Sequence, residues 1–309
     1  MSTPSPSPAT KKKVLVTGSS GRVGRAIHIR LSSRFDVSGL DRQPSSTAAW
    51  VGELDSPGLL EWALQDVDTV VHTAALHAPH VPHLSEAEFR RVNVDGTRRL
   101  LDAATAAGVR RIVFTSTTAL YGDAATPPGC AGWVDEALPP EPRTIYHRTK
   151  LEAEALLREA ALAGGPSLRI LRMSRCFPEP ANVMALFRLH RGVDARDVAA
   201  AHEAAMEHDG PPCATFVISG ATPFVVEDVD ALWHDAPTVL ARRAPSLVAA
   251  FAARGWRLPA RIDRVYNPEA AGRELGWYPR YGPGEVLAML VAGSGEVLPP
   301  DESLAWSAD

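Results

Sequence analysis

Cysteine is scarce. The 309-residue chain holds three, Cys130, Cys176 and Cys213, an odd number placed far apart. They make neither a disulfide framework nor a metal-ligand spacing, which fits a reducing cytoplasm. Strong charge of one sign is missing as well. The formal net charge is −4, too mild to point to a nucleic-acid partner. No apolar run approaches the ~18 residues a bilayer span needs, so no membrane partner is expected. No internal repeat emerges. Residues 1–10 are Ser/Pro-rich and read as a disordered tail. They do not read as a signal peptide, because Lys11 to Lys13 lead into a strand rather than an apolar h-region. With 45% hydrophobic residues, the chain is able to bury one large core or two lobes sharing one.

What is present begins at Val14. The run Val14-Leu15-Val16 reads as a strand buried on both faces of a parallel sheet. It ends in Thr17-Gly18-Ser19-Ser20-Gly21-Arg22-Val23-Gly24, and an amphipathic stretch comes directly after it. Glycines at 18, 21 and 24 permit a tight turn, close approach of backbone to a pyrophosphate, and close packing of helix on strand. The helix N-terminus would face the phosphates with unpaired N–H groups. A second strand, Val37 to Leu40, ends on Asp41. An acidic residue there, roughly 20 residues after the glycines, is placed for a ribose 2′-hydroxyl. Asp41 disfavours a 2′-phosphate and favours NAD, whereas Arg42 and Arg22 would tolerate NADP.

Further on, strands alternate with helices. Trp50–Leu54 reads as a third strand ending at Asp55. Ser56-Pro57 then opens a helix to about Gln65, with Ser as N-cap and Pro at the first position. Asp68–Ala74 is a fourth strand. A loop with His77, His80 and His83 comes next. Pro79 and Pro82 break any helix that would align these rings, so no metal site is expected, and the loop reads as solvated or substrate-facing. Glu86–Ala107 is expected as one long helix closed by Gly108. Arg111–Ser116 is a fifth strand, and a Pro/Gly-rich loop spans 127–143. A helix covers about Ile145–Ala163, and Leu168–Met173 is a sixth strand. Past 175, Ala195–Glu207, Pro237–Arg254, Pro268–Leu275 and Gly284–Ala292 read as helices, and Thr215–Ser219 as one more strand. The fold class is α/β: a Rossmann-like, doubly wound parallel sheet with right-handed crossovers and a smaller C-terminal substrate lobe. The expected division is a dinucleotide-binding domain over 11–175 and a substrate lobe over 176–309. The boundary is soft, and one strand of the lobe is allowed to return to the main sheet. Ligands of such sheets bind beyond the carboxyl ends of the strands.

Tyr146-His147-Arg148-Thr149-Lys150 places Tyr and Lys on one helical face. A phenol with a pKa of about 10 is a poor base at neutral pH, and a nearby ammonium favours the phenolate. Such a Tyr would take a proton from a carbinol while hydride leaves to a cofactor. Thr117, at the end of the fifth strand, would hold the same oxygen.

These motifs together resemble the extended short-chain dehydrogenases/reductases, the family of NAD-dependent epimerases and dehydratases. Its markers appear in order: the glycine turn, Asp55, His72-Thr73-Ala74-Ala75, Asn93-Val94-Asp95-Gly96-Thr97, Thr117 before Tyr121-Gly122, Tyr146-x-x-x-Lys150, and Arg273-Glu274-Leu275-Gly276-Trp277. The resemblance implies a nicotinamide cofactor and Thr117, Tyr146 and Lys150 as catalytic residues. Asn93 would help position the site or its proton relay. Ser20, Arg22 and Val23 in the turn would join the glycines in holding the cofactor. Leu54 and Asp55 would lie near the adenine, with Ala74, Ala75 and Cys176 also against the cofactor. The family often forms homodimers through two long helices, here 86–107 and 146–163.

Three departures bear on the reaction. Thr117 is followed by Thr118-Ala119, not the Asp-Glu of related dehydratases. The ten residues between Pro180 and Arg191 leave little chain to clasp a nucleotide diphosphate, which points to a small substrate. Cys176-Phe177-Pro178-Glu179-Pro180 is similar to the uronate dehydrogenase branch, yet Ala181-Asn182-Val183-Met184 lacks that branch's carboxylate-binding Arg. Arg175 or Arg188 would have to substitute. His77 and Thr118 are the other expected substrate contacts. The expectation is an NAD(P)-dependent oxidoreductase acting on a secondary alcohol or ketone of a small sugar-like molecule. A sugar or nucleotide-sugar epimerase with tightly held NAD is the alternative. A non-catalytic NAD(P)-sensing protein is the alternative from another class.

Overall fold

The computed structural model describes residues 11–301; the expected tail over 1–10 lies outside them. In chain order the first half comprises β1 (Lys13–Thr17), α1 (Arg22–Leu31), β2 (Asp36–Asp41), β3 (Trp50–Val51), α2 (Leu59–Ala63), β4 (Val67–His72), α3 (Glu86–Arg90), α4 (Gly96–Ala106), β5 (Arg111–Thr117), β6 (Gly132–Val134) and α5 (Ile145–Leu162). The second half comprises β7 (Ser167–Met173), α6 (Ala181–Phe187), α7 (Ala195–Glu207), β8 (Cys213–Ile218), α8 (Val229–His234), α9 (Ala236–Arg243), α10 (Pro245–Ala252), β9 (Arg264–Tyr266), α11 (Glu269–Leu275) and α12 (Pro283–Val291).

Seven parallel strands form one sheet in the order β3-β2-β1-β4-β5-β7-β8. Alternation along each strand feeds two cores. Val14 and Val16 face α1 and α7 together with Ile27, Leu31, Val198 and Phe216. Leu15 points the other way, into a layer with Leu100, Leu101, Ala153 and Leu157 of α4 and α5. Both faces are covered, which is why the strands read as continuous apolar runs. The strand past residue 175 returns to the main sheet, pairing with β7 from Leu168↔Cys213 to Met173↔Ile218. Around α6, α8–α10 and α12 a third core gathers Met184, Leu186, Leu232, Leu240, Phe251 and Val286.

Several elements differ from the sequence expectation: β3 stops at Val51, and α6 and α8 form where no helix was expected. The helix expected from Ser56 starts only at Leu59, because Gly58 adopts a left-handed φ of 72° and the Ser56 hydroxyl is taken by the Glu53 N–H at 3.0 Å. The long helix over 86–107 is interrupted by one π-helical turn, Arg91–Asp95. An extra residue in a helix is invisible to a 3.6-residue period. The expected helix Pro237–Arg254 is broken before Pro245, whose ring cannot continue α9 but suits the first turn of α10. The 127–143 loop contains β6, which pairs in parallel with β9, Gly132↔Arg264 to Val134↔Tyr266. Such a pairing, far apart in sequence, has no local signature.

Candidate active site

The carboxyl ends of β1, β2, β4, β5 and β7 open into one cavity of about 1020 Å³. Every residue expected at a cofactor or substrate site lines it, except Asn93 and Arg188.

At one end lies the glycine turn. Gly18 has φ 72°, and a Cβ there would meet the Ala74 nitrogen at 2.7 Å. A Cβ on Gly24 would overlap the Gly18 carbonyl oxygen, so α1 can pack onto the turn only without one. No side chain caps α1 at Gly21; its first N–H groups are left for a ligand. Arg22 pairs with Glu296, and its Nε is buried without a hydrogen-bond partner among the described residues. The Asp41 carboxylate accepts from the Ser20 N–H at 3.0 Å and the Gln43 N–H at 2.8 Å, which fixes it at the cavity edge. Asp55 is held by Arg91 at 2.8 Å. This set of donors, small residues and one edge carboxylate fits an elongated dinucleotide.

At the other end, α5 begins at Thr144, whose hydroxyl accepts from the His147 N–H at 3.3 Å. Tyr146 and Lys150 therefore project from the first turns of α5 into the cavity, facing Thr117 and Thr118 at the end of β5. Burial pushes the Tyr146 phenol up to about 12, with the Thr117 hydroxyl opposing. Lys150 is almost fully buried. Burial pulls it down to about 7, against the field of Glu154. Its ammonium donates to the Thr115 carbonyl at 2.7 Å rather than to the phenol, and sits 3.8 Å from the centre of the Phe114 ring.

Two buried side chains brace this end. His72 bridges Thr17 Oγ1 at 2.7 Å and Thr97 Oγ1 at 3.0 Å. Thr97 gives its own proton to the Asn93 carbonyl, so His72 Nε2 carries the hydrogen and Nδ1 accepts from Thr17. Asn93 is outside the cavity wall. Its carboxamide takes the Leu76 N–H at 2.7 Å and donates to the Leu76 carbonyl at 3.0 Å and to Thr149 Oγ1 at 3.1 Å. It ties the loop after β4 to α5 one residue before Lys150.

Beyond Tyr146 and Thr117, His77 stacks on Phe177 across the cavity, ring centres 5.9 Å apart. His80 meets His77 edge-on at 4.4 Å. Arg175 is paired with Glu179. Arg188 corrects an expectation: it is buried, bonded to Asp194 at 3.1 Å, and does not line the cavity. Two other guanidiniums do. Arg264 binds Asp263 at 2.6 Å and Arg191 reaches the same carboxylate at 3.3 Å. One carboxylate between two guanidiniums leaves a positive charge on this trio, and Arg191 Nε is buried with no hydrogen-bond partner among the described residues. Arg191 stands at the end of the short stretch after Pro180. Arg264 had no such signal, because only the pairing of β9 with β6 brings it to the cavity.

Known proteins resemble this chain in sequence and fold. The N-acetyl-α-D-glucosaminyl-diphospho-ditrans,octacis-undecaprenol 4-epimerase of Escherichia coli O157:H7 is 36% identical over 149 residues, 47% of this chain and 43% of that protein. The UDP-glucose 4-epimerase of Azospirillum brasilense is 30% identical over 175 residues, 53% of this chain and 49% of that protein. The chain thus spans less than half the length of these curated relatives. A solved short-chain dehydrogenase/reductase superfamily protein from Agrobacterium tumefaciens, with NAD bound, superposes with a TM-score of 0.68 at 26% identity, covering 91% of this chain and 96% of that one. The family model described as "NAD dependent epimerase/dehydratase family" matches residues 14–184, more than half of the chain. The chain belongs to the NAD-dependent epimerase/dehydratase family.

Proposed function

We propose that the protein is an NAD-dependent oxidoreductase acting on a secondary alcohol or ketone of a small sugar-like substrate. The observation that carries this reading is the meeting of Tyr146, Thr117 and Lys150 in the cavity whose far end is the glycine turn. NAD, if bound there, would supply the hydride acceptor and a positive charge that favours the phenolate. Tyr146 exchanges the proton of the reacting oxygen, Thr117 holds that oxygen, and Lys150 holds the nicotinamide ribose and favours the phenolate. In the free protein the high Tyr146 value keeps the phenol protonated at neutral pH, ready to donate to a carbonyl. Asp41 at the cavity edge supports NAD over NADP, since a 2′-phosphate would meet a carboxylate. The division into a cofactor-binding part over 11–175 and a substrate lobe after it, cytoplasmic residence, and a homodimer through α3–α4 and α5 belong to the same reading.

The test is absorbance at the reduced-nicotinamide band with a panel of free sugars, sugar acids, polyols and small ketones. Each is run with NAD, NADH and their phosphorylated forms. Net turnover with a small substrate is expected. No net change, with NAD retained through purification, would transfer the assignment to an epimerase, the activity named for both curated relatives. No change and no bound NAD would leave a non-catalytic binding protein.

The unbalanced charge at Arg191 and Arg264 supports a sugar acid over a neutral sugar within that panel. Arg264→Met is expected to raise KM for the acid about tenfold or more, the usual scale of a charged hydrogen bond lost to a substrate. Its kcat and its KM for neutral analogues should stay unchanged. An unaltered KM for the acid refutes the role.

A further inference from the structure

Lysine is rare in this protein: Lys11, Lys12, Lys13 and Lys150 are all there are. The first three precede or open β1 and keep solvent contact, whereas Lys150 is nearly inaccessible. An ammonium with so little water depends on its neighbours for charge.

Those neighbours come from every packed element. On α5, Tyr146 lies one turn before Lys150 and Glu154 one turn after, on the same face. From β5 come the Thr115 carbonyl and the Phe114 ring. His72 of β4 is neutral, lowered to about 3 by burial and by Lys150 itself. Behind Thr115, His202 of α7 is neutral too, with Nε2 2.7 Å from the Thr115 hydroxyl. The one negative charge in the set is Glu154, 2% exposed.

Glu154 is gripped from below. Ser116 Oγ donates to its Oε1 at 2.5 Å. Arg172 of β7 forks onto it, Nε to Oε1 at 3.1 Å and Nη2 to Oε2 at 2.7 Å. Arg172 in turn donates to the Tyr121 hydroxyl at 3.1 Å, and Tyr121 donates to the Asp135 carbonyl at 2.8 Å. This series of bonds fixes the carboxylate in one place. It is more than a sheet-to-helix staple needs, because replacing a buried ion pair by apolar residues is often neutral for stability.

We propose that Glu154 and Arg172 are positioning residues that set the charge on Lys150 from beneath, the carboxylate favouring the ammonium and the guanidinium tempering it. The proposal rests on the reading of Lys150 as a working residue, but its test does not need turnover. ¹³Cε-lysine labelling gives four signals to follow with pH. That of Lys150, assigned by its loss in Lys150→Met, titrates far below the ordinary lysine value.

Glu154→Gln removes the carboxylate and leaves Arg172 unpaired, so the Lys150 midpoint should fall by at least about half a unit, a threefold change in equilibrium. Glu154→Gln with Arg172→Gln removes both members of the pair, leaves no unpaired guanidinium, and should fold even where the single variant does not. Its midpoint is expected between the single variant and the parent. A parental midpoint in either folded variant would overturn the proposal. A merely structural pair would lower the melting temperature and leave the midpoint alone. Loss of activity in Tyr146→Phe with an unmoved Lys150 midpoint in the Glu154 variants would sink this inference and spare the catalytic reading; turnover surviving in Tyr146→Phe would do the reverse.

Discussion

Tyr146→Phe is expected to cut turnover by about 10²- to 10⁴-fold, the range that a positioned general acid or base supplies, with cofactor affinity close to that of the parent. The substitution removes one hydroxyl and keeps the ring, so the cavity wall and the packing against Ile145, Leu76 and Phe89 persist. What disappears is the proton exchanged with the reacting oxygen. Thr117 cannot replace it, since its hydroxyl has no route to a stable anion at neutral pH. Cofactor titration by fluorescence and turnover by absorbance on the same preparation separate the two effects. Parental turnover in a variant that binds cofactor normally would remove Tyr146 from the mechanism.

Gly24→Val is expected to abolish cofactor binding and lower stability by about 1–3 kcal/mol, the usual cost of overpacking. The new Cβ would occupy the place of the Gly18 carbonyl oxygen. Relief requires α1 to slide away from β1, which loosens Ile27 and Leu31 from the sheet. It also carries the uncapped N–H groups of α1 away from the phosphate position. Thermal unfolding and cofactor titration read both consequences. A Gly21 variant offers the contrast, because a Cβ there comes no nearer than 3.4 Å to the Gly18 oxygen; that glycine matters for room at the ligand rather than for packing. A Gly24→Val protein with parental stability and cofactor binding would contradict the packing argument.

Much of the cofactor end was legible in the sequence because its signals are local. Val14 to Gly24 carries its strand, its turn and its helix within one short stretch, and Asp41 stands at the end of the next strand. Tyr146 and Lys150 were legible for the same reason, being one turn apart. The state of Lys150 was not. The Thr115 carbonyl that holds it and the Glu154–Arg172 pair beneath it come from three different elements. The substrate end shows the limit most clearly. Arg188, close in sequence to the expected contact, turned out to serve Asp194. Arg264, far away in sequence, reaches the cavity on a strand of three residues. The breaks at Gly58, at the π turn and at Pro245 were missed for separate reasons. Each is a competition between a local conformational preference and an apolar period that continues through it.

The return of β8 to the sheet alters what the two lobes mean. The chain leaves the sheet after β7, builds α6 and α7, and comes back to lie along β7 from Leu168 to Met173. The residues after 175 are therefore structural members of the part before them. A fragment ending at 175 would expose β7 as a bare edge, an invitation to pair with another molecule. It would also lose the His202 ring that meets the hydroxyl of Thr115, the residue whose carbonyl holds Lys150. The cofactor half is thus no independent cassette that could be transplanted ahead of a new specificity region. Exchange of substrate preference between such chains would have to keep the strands and covering helices through Ile218 and recast the region C-terminal to β8, along with the loops at His77, Phe177 and Arg191.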